Sequence, residues 1–399
     1  MSINVRTRAV HAGREDFTDL GVHAPPIDLS STYPLRDLDR ATDSLDAMAH
    51  GQRPRHDEPV YARLHNPTVA RFEDAFASLE HCDASVAFAS GMAALTAVLM
   101  SVRERGTEVV AVRPLYGGSD HLLASEMLGL KVKWATADTV DDLVGPETAL
   151  VVVETPANPT NDLVDIEAIV AVIGDVPLVV DNTFATPVLQ NPARQGATFV
   201  LHSATKFLGG HGDVVAGVVA CPESWAEQLR AVRVATGAIL HPLGAYLLHR
   251  GLATLPLRVE AQQATAVELV GRLLEHPVVA TVRHPSVPGQ DPRDLVGRQM
   301  RGPGSLIAFD VAGGHDLAAQ VMKTTRWFTP AVSLGSVDSL IQHPAGLTHH
   351  VVDPTARKAS GIGPGTLRLS VGLEDVDDLW EDLDQALRTA ATQLLTSSI

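Results

Sequence analysis

Between residues 84 and 203, short β-branched runs alternate with helical or turn segments, and no other property of the chain restricts its fold as strongly. The runs are ASVAFAS at 84–90, TEVVAV at 107–112, KVKWAT at 131–136, ALVVVE at 149–154, PLVVDN at 177–182 and TFVLHS at 198–203. Apolar runs of this length without polar alternation read as strands buried on both faces. Strands separated by helices pair in parallel, with the helices covering the sheet. PTVARFEDAFASLEH at 67–81 places Val69, Phe72, Phe76 and Leu79 at helical spacing behind Pro67, and GMAALTAVLMSV at 91–102 reads as a second helix.

The flanks differ. Residues 1–60 are polar and rich in proline, and APPIDLSSTYP at 24–34 reads as an extended arm that lies on something else. Beyond a Gly/Pro-rich region around 237–256 comes a long amphipathic helix at 257–277. VVATVRHP, GSLIAFDVAG and TLRLSVG are further strand candidates, and a helix at 378–395 closes the chain. The expected fold class is α/β. An N-terminal arm (1–60) precedes a large, mostly parallel sheet domain (61–250) and a smaller C-terminal α+β domain (251–399).

Charge and cysteines exclude several functions. A net charge of −16 without a long basic run argues against nucleic acid as a partner. Cys82 and Cys221 are too few and too far apart for a disulfide framework or a zinc site, and fit a reducing compartment. The seventeen histidines lack ligand spacing with an acidic third partner, so no metal is expected. No apolar run approaches the ~18 residues of a membrane span, and the expectation is a soluble, cytoplasmic protein.

Ligands of open α/β sheets bind at the carboxyl ends of the strands. Four ends deliver polar residues here: Ser90-Gly91-Met92, Asn158, Asp181, and Ser203 to Lys206. Each alone has an ordinary explanation as a helix cap, a turn former or a surface lysine. Together they supply what pyridoxal phosphate (PLP) requires: an amine to bond its aldehyde, an anion for its pyridine nitrogen and a cradle for its phosphate. Lys206, Asp181 and the turn at Gly91 and Met92 would meet those needs, because a helix start offers unpaired N–H groups to an anion. Ser203 and Thr205 could add hydroxyl donors to the same phosphate.

The residues also form a familiar series. Tyr61 to Thr68, Ser90 to Ala94, Tyr116-Gly117-Gly118, Glu154 to Pro159, Asp181 to Phe184 and His202 to Lys206 occur in order. Gly209-Gly210-His211, Ser333-Leu334-Gly335, Gln342 to Ala345 with Thr348-His349, and Leu367 to Glu374 follow. The series spans nearly the whole chain and resembles the Cys/Met-metabolism family of PLP enzymes.

That resemblance implies an aspartate-aminotransferase-like fold, usually a homotetramer built from tight dimers. It implies that Lys206 is the Schiff-base lysine, Asp181 the pyridinium partner, and Tyr116 the ring-stacking tyrosine that also serves as an acid/base. Gly91, Met92, Ser203 and Thr205 would bind the phosphate, with Tyr61 and Arg63 reaching it from a neighbouring subunit. Arg368 would clamp the carboxylate of an amino-acid substrate, assisted by Asn158 and Ser333; a guanidinium can offer it two parallel hydrogen bonds.

Within the family, the resemblance points to carbon–sulfur bond cleavage by γ-elimination. Cystathionine enzymes resemble one another in a glutamate before the Ser-Leu-Gly stretch and an arginine five residues after the ring tyrosine; Val332 and His121 stand there. Loss of both charges favours an apolar substrate tail, as in methionine γ-lyases. Those enzymes usually have a cysteine where this chain has Gly118. Cystathionine γ-lyase or γ-synthase, O-acylhomoserine sulfhydrylase and a non-catalytic PLP-binding module are the other readings.

Overall fold

The computed structural model describes residues 3–397. Seven strands form the larger sheet: β1 (Ala84–Phe88), β2 (Glu108–Val112), β3 (Lys131–Ala135), β4 (Thr148–Glu154), β5 (Leu178–Asp181), β6 (Phe199–His202) and β7 (Gly217–Cys221). Their order is β1-β7-β6-β5-β4-β2-β3. The pairs β2–β3, β2–β4, β4–β5 and β5–β6 are parallel, whereas β7 runs antiparallel to both β1 and β6. The sheet is thus mostly parallel, as expected, with one reversed strand that the alternation did not reveal. Because β7 reverses between them, β1 points the same way as β6, and the carboxyl ends of β1, β4, β5 and β6 share one edge.

Alternate residues of each strand feed different cores, as the two-residue period of a strand requires. Ala87, Val200 and Val218 pack with Phe72 and Phe76 of the helix Pro67–Glu80. Val86, Phe88, Phe199 and Val219 turn the other way, against Val98 and Leu99 of the helix Gly91–Ser101. Each fully buried Phe or Val is worth about 1.5–3 kcal/mol over exposure, so the two layers hold the strand ends in fixed register.

A second sheet lies wholly within 279–370: β8 (Val279–Arg283), β9 (Leu306–Val311), β10 (Thr329–Pro330), β11 (Leu340–Gln342) and β12 (Thr366–Ser370). Its order is β10-β11-β12-β9-β8. The helix Leu255–Leu274 joins the two cores. Its Leu255 and Val259 pack into the large-sheet core, while Leu269, Val270 and Leu273 pack under the second sheet with Leu383 and Leu387 of the last helix. Near the start of the chain, the stretch at 24–34 carries no helix and pairs only through a bridge between Thr32 and Tyr61.

Candidate active site

The strand ends open into one cavity of about 690 Å³. Ten of the twelve site residues expected from sequence line it: Gly91, Met92, Tyr116, Asn158, Asp181, Ser203, Thr205, Lys206, Ser333 and Arg368. Tyr61 and Arg63 do not. Both are exposed, and Arg63 stacks its guanidinium 5.7 Å from the Tyr61 ring and donates to the Val234 carbonyl at 2.7 Å.

Lys206 follows the end of β6 in a turn closed by its own N–H to the Ser203 carbonyl at 3.1 Å. Its Nζ donates to Ser333 Oγ at 2.7 Å. Burial, aided by the Arg368 guanidinium, pushes the amine down to about 8. Ser333 has a φ of 104°, a conformation that costs a residue with a side chain about 1–3 kcal/mol. Contacts on both sides hold it there: its hydroxyl oxygen accepts from Lys206 Nζ, and its carbonyl accepts from Arg368 Nη2 at 2.5 Å.

Asp181 ends β5 with its carboxylate accepting from the Thr183 hydroxyl at 2.5 Å and the Thr183 N–H at 3.0 Å. Burial pushes this carboxyl above its usual range, and those two donors and the His202 ring pull it back. Thr183 also accepts the Ser203 N–H at 2.9 Å, which locks the two strand ends together. Sequence reasoning gave Thr183 no role; two polar residues directly after a strand-end aspartate were the only signal.

Across the cavity, Ser90 caps the helix Gly91–Ser101 by accepting the Ala93 N–H at 3.1 Å. Gly91 and Met92 open that helix, where N–H groups have no intrahelical acceptor. A Cβ on Gly91 would lie 3.1 Å from Ser203 Cβ and 3.2 Å from its Oγ, so a side chain there would crowd the gap between helix start and serine. The Thr205 hydroxyl is engaged with the main chain of Ala216 in both directions, at 2.9 and 3.1 Å.

Arg368, on β12, is buried. Burial pushes its guanidinium down to about 9, opposed mainly by Glu154. Nη1 donates to Asn158 Oδ1 at 2.9 Å. The amide orientation that satisfies its neighbours places Gln342 Oε1 3.1 Å from both terminal nitrogens, a support that sequence reasoning missed. Nε is buried without an acceptor among the described residues, which leaves one donor for a ligand.

Gly118 follows the exposed Tyr116, and its lack of a side chain fixes where that ring can lie: a Cβ there would come 2.6 Å from Tyr116 Cε1 and 3.3 Å from Met92 Sδ. Val332 lines the cavity, with Val215, Leu347 and Val351. The four are 45–66% exposed, a largely apolar collar at its mouth that the exposed His350 interrupts. His121 is exposed and is not among the lining residues, so in this chain the charge argument rests on position 332 alone.

An amine of lowered basicity, a buried carboxyl, a helix start opposite a serine and a buried guanidinium with a spare donor fit PLP and an amino acid. The model of the Cys/Met metabolism PLP-dependent enzyme family matches residues 6–388. An L-methionine gamma-lyase of Brevibacterium sandarakinum is 54% identical over 388 residues, covering 97% of this chain and 98% of the relative. One of Streptomyces avermitilis is 55% identical over 385 residues, covering 96% and 89%. Among solved structures, a cystathionine gamma synthase from Xanthomonas oryzae pv. oryzae in complex with cystathionine superposes with a TM-score of 0.90. It is 34% identical, covering 98% of this chain and all of that one. The chain belongs to the Cys/Met metabolism family of PLP-dependent enzymes, and its cofactor is PLP.

Proposed function

We propose that the protein is a carbon–sulfur lyase that converts L-methionine or L-homocysteine, with water, into 2-oxobutanoate, ammonia and, respectively, methanethiol or hydrogen sulfide. The observation that carries this reading is the apolar collar, which holds no carboxylate or guanidinium, in the same cavity as Lys206, Asp181 and Arg368. The names of the relatives more than 50% identical to it support the same choice.

When bound, PLP supplies an electron sink for the charge left on the substrate carbons. Gly91, Met92 and Ser203 would hold its phosphate; Thr205 would join them only by turning its O–H away from the Ala216 carbonyl. Asp181 would hold the proton on its pyridine nitrogen. Arg368 clamps the substrate α-carboxylate, with Asn158 and Gln342 keeping the guanidinium in place. Lys206 Nζ takes the Cα proton and then moves a Cβ proton; an amine near 8 keeps a substantial neutral fraction at neutral pH, as a general base requires. Tyr116 delivers a proton to the departing sulfur. The collar offers the tail no carboxylate or guanidinium, which suits a methylthio group and leaves the ammonium at the far end of cystathionine without an acidic partner.

The test is a comparison of kcat/KM for L-methionine, L-homocysteine and L-cystathionine. Methionine or homocysteine should lead, and Val332→Glu should shift the ratio towards cystathionine by about tenfold, or ~1.4 kcal/mol. A wild-type protein that strongly prefers cystathionine, or that only joins an O-acylhomoserine to a thiol, would overturn the reading.

The same proposal includes a cytoplasmic homotetramer with sites completed across subunits. No described helix is long and apolar enough to cross a membrane. Tyr61 and Arg63 stand exposed away from their own chain's cavity, on a surface that a neighbouring subunit can approach. Arg63→Ala and Lys206→Ala proteins should each be poor alone and regain part of the activity when their subunits are exchanged. Hybrids that form without recovery would argue for a site built within one chain.

A further inference from the structure

Glu154 ends β4 directly beside Asp181 on β5, lines the cavity and is 5% exposed. Its two carboxylate oxygens are divided between two residues of the site. Oε2 accepts the main-chain N–H of Tyr116 at 2.7 Å, from a loop 38 residues upstream. Oε1 accepts the main-chain N–H of Asn158 at 2.8 Å. Asn158 in turn accepts from Arg368 through its side chain at 2.9 Å, and His349 bonds its carbonyl at 3.1 Å.

One carboxylate therefore anchors the main chain of Tyr116, the proton donor proposed above, and of Asn158, which bonds Arg368. Tyr116 stands at the cap position of the helix Gly117–Ala124 without a side-chain cap bond, and its own N–H is taken up by Glu154. A structural need to satisfy two buried N–H groups would be met by any acceptor. This acceptor stands inside the cavity, next to a second carboxyl, where a charge is costly. Burial and the neighbouring Asp181 push the Glu154 carboxyl well above its usual range, and the two N–H bonds and Arg368 act against that shift.

We propose that Glu154 is a positioning residue that fixes Tyr116 and Asn158 relative to each other, and so couples the proton donor for the leaving sulfur to the clamp on the substrate carboxylate. The proposal rests on the functional reading above. Glu154 needs no contact with substrate to act; its effect passes through the two backbone segments it holds.

Glu154→Gln keeps the size of the side chain but can accept from only one of the two N–H groups, because its amide nitrogen is a donor. In the cofactor-free protein, hydrogen exchange at the amides of Tyr116 and Asn158 should accelerate at one or both positions, while protection in β1 and β7 stays unchanged. In the holoenzyme, the circular dichroism of the bound cofactor should change while its stoichiometry is retained. The loss in kcat/KM for methionine should be about tenfold in the wild-type background and less than about threefold in a Tyr116→Phe background, since sites linked through one partner are not additive.

Unchanged exchange at both amides would overturn the proposal, as would the same fold loss in both backgrounds. If Glu154→Gln does not fold, Glu154→Asp serves instead: its carboxylate is one methylene short, and it should release at least one of the two amides. Should the wild-type protein prove to have no lyase activity, the functional reading falls, and the exchange measurement still decides whether Glu154 holds the two segments.

Discussion

Lys206→Ala should abolish the absorbance of the lysine-bound cofactor and lower turnover by at least ~10³-fold, within the 10²–10⁴ that a positioned general base contributes. Lys206 is one of only five lysines in the chain and the only one that lines the cavity. Its Nζ is held by Ser333 Oγ, and burial has already lowered its affinity for a proton. Borohydride reduction of the holoenzyme should leave the pyridoxyl group on the peptide that contains residue 206. A second readout uses the cofactor-free protein. A lowered value means that the amine is neutral above about pH 8, so an amine-directed reagent should label Lys206 with a midpoint near 8. The other four lysines lie outside the cavity. A pyridoxyl group on any of those four would remove Lys206 from its role.

The strand ends were legible because buried parallel strands advertise themselves as β-branched runs, and the turn that follows each one exposes its polar residues in sequence order. β7 was not. Its GVVAC run follows a glycine-rich loop, and its antiparallel pairing with β1 joins residues 84–88 to residues 217–221, a link that no local periodicity records. Glu154 was read as the end of a strand, since its significance lies in Tyr116 far upstream and in Asp181 on the next strand. The strained backbone of Ser333 is likewise set by what Lys206 and Arg368 demand of it, and serine carries no mark of a positive φ.

His121 shows a different limit. Spacing along the chain suggested a place near the tail of the substrate, but on a helix direction matters as much as distance. Ser119 lines the cavity, and two residues further on the helix has turned about 200°, which carries His121 to the outer face. Val332 lies on an irregular segment where no such rotation applies, and it does line the cavity.

Replacing Arg368 by lysine should cost about 10²-fold or more in kcat/KM for methionine, equivalent to about 3 kcal/mol or more, mostly as a higher KM. The guanidinium bonds Asn158 Oδ1 and the Ser333 carbonyl with its two ends, and it retains an unpartnered Nε. An ammonium presents one charged nitrogen on a flexible stem and cannot span those partners while also keeping a donor for the carboxylate. The buried acceptors around it would also be left short of donors, which adds to the loss. Stability alone could lower activity, so the decisive measurement is a substrate comparison. With the carboxamide of methionine, whose neutral amide cannot form the ion pair, wild type and Arg368→Lys should differ by less than about threefold, because the interaction removed is absent in both. Equal losses for methionine and its amide would show that Arg368 supports the fold of the cavity and makes no contact with the substrate carboxylate.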